Sequence, residues 1–525
     1  MGTTIDPARR FALLNFLVWL ATGLYMTPMV LLYQARGLDL AGVGLVFAIY
    51  GGTVVALELP TGGLADVIGR RTVLAISAAV GVIALAWMAV ATTLWELALT
   101  SLLKGVSRAL SSGPAEAWYV DRAGEKADLR RGLARGESVG SLALAAGTLV
   151  GGVIPLLMPR DLPLGLIPLS VPVALSAVAS VALLLTAMFG MPEPPRPRAT
   201  PGSVLRDVPR TIGTGFRLGL RDSVLVRVLG TMFVLGVALN AIEMLTPGRL
   251  ADLTGGGEKG GLVYAIVVSA GFLAFSLGQR LSPLAARVLT PRDGGGDGGA
   301  AGGPPPVPEG PPVPGRPLET GAAETETEAA HAEAGAALAQ AARTGQAART
   351  GQAQNAAPAA HTEADGGAAG DRGAAGDRAA PGSERSMRGA ARAAAAGVIV
   401  AALALSGLAA GTALAGFPAV VAAALAYVVM FIGFGITSPL RQEMTHRRVS
   451  SGERATVVSV MSLQLQFGGT LCALAGGMLA ARAGVASVWW GAAGLLLLSA
   501  LLYLGIGGRA ARTAPERVPA RSGAG

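Results

Sequence analysis

About twelve runs of roughly 20 mostly apolar residues divide this chain, and few folds can accommodate them. In the first half they are Phe11–Tyr33, Leu40–Gly62, Thr72–Thr92, Leu94–Val120, Val139–Met158 and Leu164–Met188. In the second half they are Val224–Pro247, Gly261–Leu281, Ala393–Gly411, Leu414–Ser438, Thr456–Ala480 and Val488–Ile506. Such runs bury themselves in a bilayer, where every backbone amide must be satisfied within its own segment, so the expected fold class is all-α and integral to the membrane. Composition agrees, with 52% hydrophobic and only 14% charged residues among 525. Soluble domains carry about 25% charged residues.

The formal charge of +9 does not point to nucleic acid, because the arginines sit between apolar runs rather than in one domain. Arg9, Arg10, Arg70, Arg71, Arg122, Arg131, Arg441, Arg447 and Arg509 fall on one side of the predicted spans, whereas Arg36, Arg160, Arg249, Lys259 and Arg482 fall on the other. The positive-inside rule then puts both termini in the cytoplasm, and the Ala-, Gly- and Arg-heavy composition points to a bacterial cell membrane. Arg9-Arg10 followed by Phe11–Tyr33 imitates a signal peptide, but the apolar run is too long, so it is read as the first span.

Six segments follow from this reading. Residues 1–190 form a first six-helix bundle and 191–221 a cytoplasmic linker. Residues 222–289 hold spans seven and eight, and 290–388 a cytoplasmic insert. Residues 389–510 hold spans nine to twelve, and 511–525 a tail. The linker opens with PEPPRPR and reads either as a basic amphipathic segment on the membrane surface or as a solvated connector. The insert is rich in Gly, Ala, Pro and Glu and contains tandem repeats, ARTGQA from Ala342 and GAAGDR from Gly367. It has too few large apolar residues to offset chain entropy and is expected to be disordered.

Leu57–Leu74 reads LELPTGGLADVIGRRTVL, a short charged turn between two spans. Gly62, Leu64, Ala65, Asp66, Gly69, Arg70 and Arg71 make it resemble the signature loop of the major facilitator superfamily of secondary transporters, with Val67 where that family often has a basic residue. The resemblance implies two pseudo-symmetric six-helix bundles that expose a midplane cavity to each side in turn. It further implies a gate. Asp66 would contact the start of span eleven, where Ser450-Ser451-Gly452-Glu453 reads as a capping box, and a loop arginine would contact an acid closing span four, here Asp121. The matching stretch of the second half, Gly278–Thr290, has no acid where Asp66 would sit.

Two further elements narrow the resemblance. Gly147-Thr148-Leu149-Val150-Gly151-Gly152 is similar to a span-five element of drug–proton exchangers, with Thr148 in place of its proline, and reads equally as small-residue helix packing. Arg108–Asp121, RALSSGPAEAWYVD, is similar to family members that export drugs.

Ionisable residues inside spans are costly and are functional by default. Glu58, Arg108 and Glu116 are expected to form a charge network near the cytoplasmic end of the first bundle, serving either proton exchange or structure. Asn15, Tyr25, Lys104, Asn240, Glu243 and Gln464 are candidates for the substrate path. Gln464 and Gln466 diverge around a helix and are not expected to face one cavity together.

No phosphate-cradling GxxxxGK[ST] loop occurs, which argues against ATP-driven transport. His331, His361 and His446 lie outside the spans, and Cys472 stands alone, so no metal site is expected. No cofactor is expected beyond a proton gradient as energy source. The expected partners are a small-molecule substrate, protons and lipid, with a monomer sufficient. The reading is proton-coupled efflux of amphipathic small molecules. Its rivals are a specific metabolite carrier, and a non-transporting receptor or scaffold acting through the insert.

Overall fold

The computed structural model describes residues 6–123, 129–193, 222–290, 381–449 and 454–506. The linker at 194–221, the insert at 291–380, residues 450–453 and the tail from 507 lie outside the described residues, and so do the expectations placed on them.

The first half comprises α1 (Pro7–Met26), α2 (Met29–Ala35), α3 (Leu40–Ile68), α4 (Arg70–Val90), α5 (Leu94–Ser111), α6 (Pro114–Arg122), α7 (Leu129–Leu157) and α8 (Val171–Gly190). The second comprises α9 (Ser223–Thr254), α10 (Gly257–Leu289), α11 (Pro381–Ala410), α12 (Gly416–His446), α13 (Arg454–Ala483) and α14 (Val485–Leu504). Among the described residues, eleven helical segments are long and apolar enough to cross a bilayer, α1 and α2 together counting as one. The twelfth crossing is the pair α5–α6. It returns from the end of α4 to its start, where Arg70 meets Asp121. Its polarity, with Glu96, Lys104 and Arg108 on α5, sets it apart from the others. The fold is therefore an all-α membrane protein of two six-span halves. Leu13, Ile83, Val178, Leu273, Leu425 and Leu501 stand exposed on its outer faces, as residues that contact lipid do.

Four boundaries differ from the sequence reading. Span two does not end at Gly62-Gly63. Helix α3 continues to Ile68, and the turn into α4 is the single residue Gly69, with φ 97°. Only glycine adopts that backbone without strain, and Ala65, Val73 and Leu110 pack beside the turn. Span four is not one helix. It breaks at Ser112 and at Gly113, which is left-handed with φ 90°, and Pro114 begins α6. Glu116 therefore does not continue the register of Arg108, as a continuous span would require. In the second half, 278–289 belong to α10 rather than to a loop. At the end of the insert, 381–388 already belong to α11.

The start of α5 has a local cause. Thr93 Oγ1 accepts from the Glu96 amide at 3.3 Å, and Glu96 Oε2 accepts from the Thr93 amide at 2.9 Å, which closes a capping box.

The halves meet along α3–α13 and α7–α10. Backbones approach closely there because the contacting residues lack side chains. A Cβ added at Gly44 would lie 2.9 Å from Gly477 Cα, and one added at Gly152 would lie 3.0 Å from the Gly261 carbonyl oxygen. Gly147 packs in the same way on Gly23 of α1, so the span-five glycines serve helix contacts both within and between halves. Gly44→Val should cost roughly 1–3 kcal/mol through overpacking. Thermal unfolding of the purified protein will register this as a lowered Tm, while Ala56→Val at an exposed position of α3 is the matched control.

Candidate functional site

Two polar constellations stand out, one at the end bearing the α3–α4 turn and one at the middle of the bundle. The turn is fastened by three contacts from two directions. Arg70 Nη1 lies 2.5 Å from Asp121 Oδ2 and also donates to the Ala117 carbonyl, both on α6. The Arg70 amide donates to Glu193 Oε1 at 2.8 Å, from the chain just past α8. A carboxylate there satisfies an orphan amide at the N-terminus of α4 and suits its positive dipole end. Beside it, Trp118 Nε1 donates to the Pro192 carbonyl at 3.2 Å and Arg10 to the Gly190 carbonyl at 2.9 Å. The structure thus brings together Gly69, Arg70 and Asp121 as the resemblance implied. Leu64 lies on α3 against the same cluster, and Arg71 is exposed. Gly62 and Asp66 are helical, and their side-chain surroundings lie outside the described residues. Glu193 was not foreseen. No motif spacing announces it, because its role depends on the return of the chain after α8.

Glu58 lies deeper on α3 and is only 4% exposed. Its Oε1 accepts from Ser462 on α13 at 3.1 Å, a hydrogen bond that crosses between the halves. Its Oε2 is buried without a hydrogen-bond partner among the described residues. Arg108 is close enough for its charge to act on Glu58, yet its Nη1 bonds Ser111 Oγ at 3.4 Å, and its Nε and Nη2 have no hydrogen-bond partner. Glu116 belongs to the separate helix α6.

Midway along the bundle a cavity of about 860 Å³ lies between the halves. Tyr25, Lys104, Asn240 and Glu243, four of the substrate-path candidates, line it. Two do not. Asn15 donates to the Phe11 carbonyl of its own helix at 3.2 Å. On α13 it is Gln466 that faces the cavity, whereas Gln464 points elsewhere, since residues two apart on a helix diverge. Lys104, from the first half, sits 5.0 Å from the centroid of the Tyr25 ring, a cation–π contact. Glu243, from the second half, acts electrostatically on Tyr427, which is hydrogen-bonded to Tyr264. The Asn240 Oδ1 is buried without a partner. Met26, Met29, Met88 and Phe47 supply the apolar wall. At the end away from the α3–α4 turn, α2 packs against α9 and α10 and covers the cavity.

The sequence pattern of the Major Facilitator Superfamily matches residues 11–292, more than half of the chain. The protein belongs to this superfamily. No curated protein matches it in sequence. Its fold resembles the crystal structure of nucleoside transporter NupG, with TM-score 0.60 and 13% identity over 96% of this chain and 99% of that one. It also resembles a bacterial homologue of the human lysosomal transporter Spinster in an inward-facing, occupied conformation, with TM-score 0.61 and 13% identity over 95% and 96%. A third likeness is to a bacterial homologue of the iron transporter ferroportin in an inward-facing state, with TM-score 0.59 and 12% identity over 96% and 99%. Identities this low establish the architecture alone. The superfamily member is a multi-pass membrane transporter, and its two six-span halves are the architecture shared with those structures.

The Arg70–Asp121 pair is half solvated, Asp121 being 51% exposed, so it contributes at most about 1 kcal/mol to stability. Asp121→Asn should therefore leave the Tm of the superfamily member within about 4 °C of wild type. Uptake or efflux assays should nevertheless show a loss of transport rate, because the pair fixes α4 to α6 rather than the fold as a whole.

Proposed function

We propose that this protein exports amphipathic small molecules from the cytoplasm of a bacterial cell in exchange for protons. The observation that carries this reading is Glu58, a carboxylate 4% exposed and hydrogen-bonded across the halves to Ser462. A carboxylate so placed binds a proton differently when the halves separate, because Ser462 and the dry surroundings are exchanged for solvent. The arginines cluster at the end with the α3–α4 turn, which makes that end cytoplasmic. With that end inside, the packing of α2 against α9 and α10 closes the opposite, outer side and supports an inward-opening cycle. Asp66, Arg70 and Asp121 act as the cytoplasmic gate, with Arg108 tuning Glu58 and a monomer sufficient for the cycle.

The cavity wall suits such cargo. Methionines and aromatic rings adapt to varied apolar bodies, while Asn240 and Gln466 offer hydrogen bonds. A second reading rests on Lys104 and Glu243. They present opposite charges from opposite halves and complement a zwitterionic metabolite.

Proton flux in everted vesicles tests the proposal with a panel of amphipathic cations, macrolides and tetracyclines. A compound that dissipates the pH gradient with wild type but not with Asp66→Ala supports exchange. Glu58→Gln should bind the same compound with unchanged affinity and lose proton coupling. Wild-type coupling by Glu58→Gln across pH 6–8 would reduce Glu58 to a structural contact. Loss of transport for one solute alone on Glu243→Gln would favour the metabolite reading.

A further inference from the structure

A second cavity, of about 450 Å³, lies wholly within the second half, between α9, α10, α11, α12 and α14. Leu239 lines both cavities and forms the partition between them. Most of the wall is apolar, with Phe275, Phe431 and Phe434 contributing rings. The exception is Arg441 of α12, which lines the cavity and is 5% exposed.

The Arg441 guanidinium makes no hydrogen bond or ion pair among the described residues, and its Nε is fully enclosed. Among the described residues, the acids of the neighbouring segments are already engaged. Glu443 pairs with Arg447 at 2.7 Å, and Asp222 lies 3.7 Å from Arg448. An arginine does not relieve burial by losing its proton, since its pKa exceeds about 12. An uncompensated buried charge costs several kcal/mol by general estimates. Within a span such a charge is kept where a protein partner, water or a bound anion completes it, and this guanidinium has no protein partner among the described residues.

We propose that this cavity is a binding site for a monocarboxylate with an apolar body, its carboxylate held by Arg441. The guanidinium fork matches a carboxylate in two parallel hydrogen bonds. A single cation matches a single negative charge. Tyr503, hydrogen-bonded to Thr231 at 3.0 Å, adds a hydroxyl to an otherwise greasy chamber. This site is separate from the midplane cavity and does not depend on what that cavity transports.

The full-length protein in lipid nanodiscs provides the test, with benzoate as a water-borne carboxylate and octanoate as one that reaches the site from the membrane leaflet. Benzamide and octanol are the neutral controls. A saturable rise in Tm with either carboxylate, and none with its control, is the expected result. Benzoate alone would identify an aqueous source and octanoate alone a leaflet source, and both uphold the site. Arg441→Gln should weaken binding at least tenfold, and Arg441→Lys should retain part of it. Should Arg441→Gln fail to fold, Ser499→Phe fills the cavity from α14 while keeping the cation and should abolish the response. Equal shifts with carboxylate and neutral control would overturn the site. So would no saturable shift with either acid, or undiminished binding in folded Arg441→Gln or Ser499→Phe.

Discussion

Hydrocarbon offers no hydrogen bonds, and every feature of this transporter answers to that fact. It forces the chain into helices, because only a helix satisfies its backbone internally within one segment. It also removes the hydrophobic effect as a reason for helices to associate, leaving close packing and polar contacts between them. The glycine contacts of α3 with α13 and of α7 with α10 are the result. They bring the two halves together along smooth backbone surfaces, which suits surfaces that slide or rock.

The same constraint makes each polar residue inside the bundle conspicuous. Glu58 and Ser462 meet across the halves, Lys104 leans on the Tyr25 ring, and Arg441 faces a chamber of aromatic rings. Each exacts a desolvation cost that packing alone would not demand. The turn between α3 and α4 shows the opposite regime. There Arg70, Asp121 and Glu193 are near water, individually worth little, and act together to set the relation of α4, α6 and the chain beyond α8.

Much of this was legible beforehand. The signature around Asp66 and Arg70 led to the superfamily, and the pairing of Arg70 with Asp121 was expected from that resemblance. The break in span four was also written locally, in Ser112-Gly113-Pro114, but a run of apolar residues on both sides concealed it. Tyr25, Lys104, Asn240 and Glu243 were singled out because polar groups are rare in spans, and they do line the midplane cavity. Asn15 and Gln464 were singled out on the same ground and do not, because rarity says nothing about direction.

What the sequence by itself determined is the inventory: twelve spans, their alternation, the crowding of arginine at one end, and the signature turn. These depend on composition over about 20 residues and on contiguous motifs, and both are local properties. Only the tertiary structure decided which way each span faces. Many of these helices are apolar around most of their circumference, so no stripe marks the buried side. Gln466 rather than Gln464, the capping of α4 by Glu193, and the solitary position of Arg441 all follow from how distant segments dock. That information resides in the fit of one helix surface against another rather than in any one stretch of chain.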